Sequence, residues 1–169
     1  MRVGLLGGTF DPVHLGHLMA GEEARLRLGL DKVIFMTAGQ PWLREEQPLA
    51  LAKQRLEMVR LAAGPNPHFE VGCDEVDRTG PTFTVDTLEG LRGNLGPEAT
   101  IYLIVGLDAL EQFYMWKDPK RILELCHIAV ARRPGWLEFD LERFVGGYPQ
   151  AAGKVEILSM PLVDISGTE

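Results

Sequence analysis

Six short runs of this chain read as strands, several of them apolar on consecutive residues, and stretches with helical periodicity separate them. They lie at 3–6, 33–37, 68–71, 101–105, 127–131 and 155–158, and several are too apolar on consecutive residues to have a wet face. They read as strands buried on both faces, which is the habit of parallel sheets. Helices are expected at 18–28, 50–63, 85–95, 109–113, 119–125 and 137–144; in the second, Ala52, Leu56, Val59 and Ala63 share one face. Such alternation specifies an α/β protein with a doubly wound parallel sheet, whose ligands sit outside the carboxyl ends of the strands. No linker, repeat or low-complexity stretch divides the 169 residues, which suits one domain. Residues 40–48 read as an irregular, mobile loop.

The carboxyl-end rule selects the segments that can carry chemistry. After the first strand comes Gly7-Gly8-Thr9-Phe10-Asp11-Pro12-Val13-His14-Leu15-Gly16-His17, a glycine turn that leads into a helix with two histidines at the join. Glycines let backbone amides approach an anion closely, and a helix N-terminus adds unpaired N–H groups and positive potential. The segment is neither G-x-x-x-x-G-K-[ST] nor G-x-G-x-x-G. His14 and His17 are three apart, but no Glu follows His14 as in a zincin helix and no third ligand is near, so no metal site is expected. What remains is a different phosphate-binding turn, with histidine where a P-loop has lysine. The other carboxyl-end loops are Ala38-Gly39-Gln40-Pro41-Trp42-Leu43-Arg44, Gly106-Leu107-Asp108 and Arg132-Arg133-Pro134-Gly135, with a longer excursion at 72–81.

Composition removes several classes of protein. With 46% hydrophobic and 24% charged residues the chain is ordinary globular material rather than a disordered one. No stretch reaches the roughly 18 apolar residues of a membrane span, and no signal peptide is seen, so the expected location is the cytoplasm. Cys73 and Cys126 form no metal or redox motif and are read as small core or loop residues. A net charge of −7 without a Lys/Arg block argues against a nucleic-acid partner. Small anions remain suitable ligands, because amides and a helix dipole can build a positive pocket inside an acidic protein.

Gly7-Gly8-Thr9-Phe10-Asp11-Pro12 with His14-Leu15-Gly16-His17 resembles the signature of the nucleotidyltransferases that carry a His-x-Gly-His motif. Gly39-Gln40-Pro41, Arg55-Leu56-Glu57-Met58, the segment from Gly80 to Leu88, Gly106-Leu107-Asp108-Ala109 and Trp116-Lys117 extend the likeness over nearly the whole chain. Together they resemble the bacterial-type nicotinate-nucleotide adenylyltransferases, with a Rossmann-like nucleotidyltransferase fold. The resemblance implies ATP as donor, nicotinic acid mononucleotide as acceptor, and deamido-NAD and pyrophosphate as products. It assigns Gly8, Thr9, Phe10, His14, His17, Gly106, Asp108, Ser166 and Thr168 to ATP, with His14 and His17 stabilising phosphate charge. It assigns Gly39, Arg44, Thr84, Trp116 and Lys117 to the acceptor, with Thr84 and the amide after Trp116 at the nicotinate carboxylate and the indole stacked on the pyridine ring. Direct in-line transfer needs alignment and charge neutralisation rather than a covalent intermediate, with Mg²⁺ carried by the ATP phosphates.

Local roles compete with these. Asp108 and Glu111 have capping-box spacing, Thr84 reads as an N-cap, Trp116 could cover a core edge, and Asp11 could simply shape its loop. Two departures stand out. Pro41-Trp42-Leu43-Arg44 replaces the frequent Pro-Pro-His-Lys, with Arg44 able to bind phosphate in a bidentate manner. Ile165-Ser166-Gly167-Thr168-Glu169 resembles the start of Ile-Ser-Ser-Thr-x-Ile-Arg without its Ile-Arg, and is read as a shortened chain without the C-terminal helix. The alternatives are phosphopantetheine adenylyltransferase, which shares the opening motif, and a nucleotide-binding module that has lost catalysis.

Overall fold

The structure, a computed structural model, describes residues 1–44, 49–132 and 139–160. Six strands form one all-parallel sheet: β1 (Arg2–Gly8), β2 (Lys32–Thr37), β3 (Phe69–Gly72), β4 (Thr100–Gly106), β5 (His127–Arg132) and β6 (Val155–Ser159). Their order is β3-β2-β1-β4-β5-β6. The chain therefore winds outward from β1 in one direction, then crosses to β4 and winds outward in the other. The crevice above β1 and β4 is the point where that direction reverses, and such a point is where α/β sheets bind ligands. All six expected strands are strands here, each within a residue or two of the expected bounds.

Helices cover both faces: α1 (Leu15–Leu28), α2 (Ala52–Ala63), α3 (Asp74–Asp77), α4 (Thr84–Leu95), α5 (Leu107–Glu111), α6 (Pro119–Leu125) and α7 (Leu141–Gly147). Successive side chains of a strand point to opposite faces, so the central strands feed two cores. Val3, Leu5, Ile101, Leu103 and Val105 enter one core with Val85 and Leu88 of α4 and Ile122 and Leu123 of α6. Leu6, Tyr102 and Ile104 enter the other with Ala24 of α1 and Val59 and Ala63 of α2. This two-sided burial is why the central strands carry no polar alternation, whereas the edge strands β3 and β6 carry the exposed Glu70 and Glu156.

Several helix boundaries differ from the sequence reading. Helix α1 begins at Leu15, not at 18, because His14 takes an extended conformation and its carbonyl accepts the first helical N–H, that of His17, at 3.0 Å. Phe83 is the N-cap of α4, so Thr84 is its first helical residue rather than its cap. Gly106 caps α5, which places Asp108 in the first turn and removes the capping-box explanation for it. Strand β4 passes into α5 without an intervening loop, leaving no room for a later cap. The last expected helix lies at Leu141–Gly147, while 137 and 138 fall outside the described residues. Within 40–48, Trp42–Arg44 forms a 3-10 turn, and the expected mobile loop at 45–48 lies outside the described residues.

Candidate active site

A cavity of about 630 Å³ opens above β1 and β4. It is lined by the turn Gly7 to Pro12, by residues at the starts of α1 and α5, and by Trp42, Thr82, Thr84 and Trp116. The turn is tightly held. Ala38 N donates to Gly8 O at 2.9 Å, and the Thr9 carbonyl accepts from Arg55 Nη1 at 2.6 Å. Phe10 adopts φ 51, uncommon for a bulky residue, and its ring is buried. Strain of that kind persists only where surroundings over-determine the backbone.

His14 and His17 stand together at the head of α1. Their rings stack with centroids 3.7 Å apart, and Phe10 meets the His17 ring edge-on at 5.0 Å. The His14 backbone N–H donates to His17 Nδ1 at 3.1 Å. Acting as acceptor, Nδ1 carries no proton in this arrangement, so Nε2 is the N–H of the neutral ring. Local backbone geometry thus selects the tautomer of one of the two cavity imidazoles.

On the β4 side, Gly106 and Asp108 line the cavity. The Asp108 carboxylate is exposed, and its Oδ1 lies 2.6 Å from where a Cβ on residue 106 would stand. Glycine at 106 is what lets the carboxylate fold back over the strand end, where it can accept hydrogen bonds from hydroxyl groups. Asp11 has a structural partner: its Oδ2 accepts the Ala50 N–H at 3.0 Å, tying the turn to the approach of α2.

Thr84 and Trp116 line the same cavity from the face of the sheet on which α4 and α5 pack. Trp116 packs on Phe113 at 5.4 Å, and its Nε1 is buried with no hydrogen-bond partner among the described residues. Thr82 N donates to Gln40 O at 3.0 Å and Pro41 pairs with Thr82 as an isolated bridge, so the loop after β2 is stitched to the start of α4. Gly39 and Lys117 flank the cavity without lining it. A Cβ on Gly39 would sit 2.1 Å from the Glu75 carbonyl oxygen, so this glycine permits close approach of α3. Lys117 Nζ contacts both carboxylate oxygens of Asp86 at 2.9 Å, which anchors the Trp116 segment to α4. Arg44 closes the 3-10 turn, and its side chain lies outside what is described, as do Ser166 and Thr168 entirely.

Two residues with structural weight at the site were not given roles by the sequence. Glu75, 8% exposed, reaches the cavity wall from α3 and accepts from Thr87 Oγ1 at 2.6 Å. Burial pushes its carboxyl above the usual range, with hydrogen bonds from Thr87 and Thr82 and the Arg78 charge acting in the opposite sense. Nothing in Asp74-Glu75-Val76-Asp77-Arg78 marks one acid as buried. Arg55, 1% exposed, is the other. It shares a helical face with Ala52 and Val59, and a charged residue on an apolar face was the available signal.

The parallel order, the reversal above β1 and β4 and the histidine pair over a glycine turn define a nucleotidyltransferase of Rossmann-like fold. Residues 5–169 match the cytidylyltransferase-like family. The chain is 41% identical over 172 residues to the probable nicotinate-nucleotide adenylyltransferase of Moorella thermoacetica, covering 99% of this chain and 78% of that one. The corresponding protein of Salinispora tropica is 40% identical over 164 residues, with coverage of 97% and 84%. In fold it is similar to Plasmodium falciparum nicotinic acid mononucleotide adenylyltransferase complexed with NaAD, with a TM-score of 0.78, 16% identity and coverage of 99% and 80%. The chain belongs to the nicotinate-nucleotide adenylyltransferases, within the cytidylyltransferase-like family.

Proposed function

We propose that this enzyme transfers AMP from ATP to nicotinic acid mononucleotide, releasing pyrophosphate and giving deamido-NAD for NAD biosynthesis. The observation that carries the reading is one cavity lined on one side by a glycine turn with two helix-start imidazoles and on the other by Thr84 and Trp116. The first side suits a triphosphate, since amides and imidazole N–H groups donate to phosphate oxygens. The second suits a flat acidic ring, since an indole face stacks on pyridine and the first turn of α4 favours a carboxylate. Asp108 would accept from ribose hydroxyls between them. Ser166, Thr168 and Arg44 complete the proposed phosphate contacts.

The reacting groups need alignment more than activation. Holding the acceptor phosphate in line with the α-phosphorus of ATP supplies the entropic part of catalysis, and His14 and His17 offset the charge that grows on the departing pyrophosphate. Amides and imidazoles suit phosphate oxygens better than a hard cation, so Mg²⁺ would be held chiefly by the triphosphate, where it neutralises charge. No helix of the described residues is long and apolar enough to cross a membrane. The cytoplasm, with its supply of both nucleotides, is the proposed location.

The test is pyrophosphate release with ATP and Mg²⁺, offering nicotinic acid mononucleotide, nicotinamide mononucleotide and phosphopantetheine in parallel. Release with the nicotinic acid substrate and not with phosphopantetheine is expected. Preference for phosphopantetheine would overturn the acceptor assignment, and ATP binding without release under any condition would overturn the assignment of catalysis.

A further inference from the structure

Arg55 lies in the first turns of α2, outside the cavity lining, yet three separate pieces of chain converge on its guanidinium. Its Nη1 donates to Thr9 O at 2.6 Å and to Ala38 O at 2.8 Å, its Nη2 to Gly39 O at 3.1 Å, and its Nε to Ala50 O at 3.0 Å. All four acceptors are backbone carbonyls. One belongs to the turn after β1, two to the loop after β2, and one to the approach of α2. Asp11 holds that same Ala50 by its N–H, so Arg55 and Asp11 grip one residue by its two polar groups.

A buried cation is expensive, and burial weakens its hold on the proton while the Asp11 charge acts in the opposite sense. An apolar side chain would fill the space without that cost. What it could not do is bond carbonyls that arrive from different directions, which a planar fork of five N–H donors can. The bond to Thr9 O has a second consequence. A carbonyl that donates electron density to a cation leaves the N–H of the same peptide a stronger donor, and here that N–H belongs to Phe10. Thr9 and Phe10 both line the cavity, and Phe10 is the residue held at φ 51.

We infer that Arg55 is a positioning residue: its guanidinium fixes the donor-side turn after β1 against the acceptor-side loop after β2 and sharpens the Phe10 amide for phosphate. Its kinetic consequence rests on the adenylyl-transfer reading given above; its structural consequence does not. The two substrates approach from the two segments it joins, and in-line transfer is sensitive to misplacement of about 1 Å.

The test compares the parent with Arg55→Lys and Arg55→Gln in the full chain. Lysine keeps the charge and most of the stem but presents its donors from one point; glutamine keeps two N–H donors and loses the charge. Amide hydrogen exchange is followed at 7–11 and 38–40, with β4 as internal reference. Faster exchange in both segments together is expected in each variant that folds, with β4 unchanged. Unchanged exchange in either segment would overturn the proposal. With ATP and nicotinic acid mononucleotide, the lysine variant is expected to lose on the order of 10²-fold in kcat, with smaller increases in both KM values. A kcat per folded molecule within a few-fold of the parent would equally overturn it. A parent that releases no pyrophosphate would sink the adenylyl-transfer reading alone, leaving the exchange measurement to decide the role of Arg55.

Discussion

At the scale of single residues, the two halves of the cavity ask for different kinetic signatures. On the proposed reading His17, its tautomer set by the His14 amide, serves the phosphates, so its loss would remove a donor that matters most as charge develops. Replacing it by alanine should lower kcat by on the order of 10²-fold or more and leave KM for nicotinic acid mononucleotide little changed, measured by steady-state pyrophosphate release. Turnover within a few-fold of the parent would remove His17 from the chemistry. Trp116 faces the other half, resting on Phe113. Trp116→Ala should raise KM for the acceptor roughly 2- to 12-fold, the equivalent of one aromatic contact, while KM for ATP stays put. A rise in KM for ATP instead would mean that the indole belongs to the adenosine side. The position of both histidines at a helix start after a glycine turn was legible in the sequence, and the structure places them on the cavity lining. Arg55 was not given a role, because its work lies with backbone carbonyls, which no sequence motif displays.

At the scale of elements, one wall of the cavity depends on how closely α3 packs against the loop after β2. That short helix escaped the sequence reading: four residues, three of them acidic, carry no helical period. The central strands were legible for the opposite reason, since burial on two faces writes itself as an unbroken apolar run, which the edge strands β3 and β6 do not have. Thr84 and Asp108 were located correctly at helix starts but one or two positions from the cap, because Phe83 and Gly106 occupy the cap by conformation rather than by side-chain chemistry. Two experiments probe α3. Gly39→Ala would drive a Cβ into the Glu75 carbonyl, and calorimetric or denaturant unfolding should show a loss of about 1–3 kcal/mol. Gly90→Ala, in open space on α4, should gain up to about 1 kcal/mol and serves as the opposite control. Glu75 supplies a pH signature. Its folded-state pKa lies above the unfolded value near 4.3, so the protonated form favours folding, and that contribution is lost as pH rises through the folded value. Glu75→Gln keeps an acceptor for Thr87 but cannot ionise. Its melting temperature relative to the parent should therefore increase as pH is raised from about 4 to about 8. A flat difference would place the carboxyl in a well-solvated environment.

At the scale of the whole molecule, an acidic protein is built around a cavity proposed to hold two anionic nucleotides. A net charge of −7 opposes their approach at long range, whereas the groups that receive them act within hydrogen-bond distance. Salt separates the two effects, because the field of exposed charges is screened beyond a Debye length of about 10 Å at 0.1 M while short contacts in a sheltered cavity are screened far less. The sheet makes this division possible: it gathers the amides of the β1 turn and the head of α1 at the reversal point between β1 and β4, and leaves the rest of the surface free to be acidic. A protein that binds a polyanion on a basic face weakens steeply with salt, by orders of magnitude between about 50 and 200 mM. This enzyme should do the reverse or nothing: over the same range KM for ATP, at fixed excess Mg²⁺, should stay level or fall. A steep rise would require an extended basic surface reaching the triphosphate, and would shift the recognition of ATP from the local turn and helix start to long-range charge.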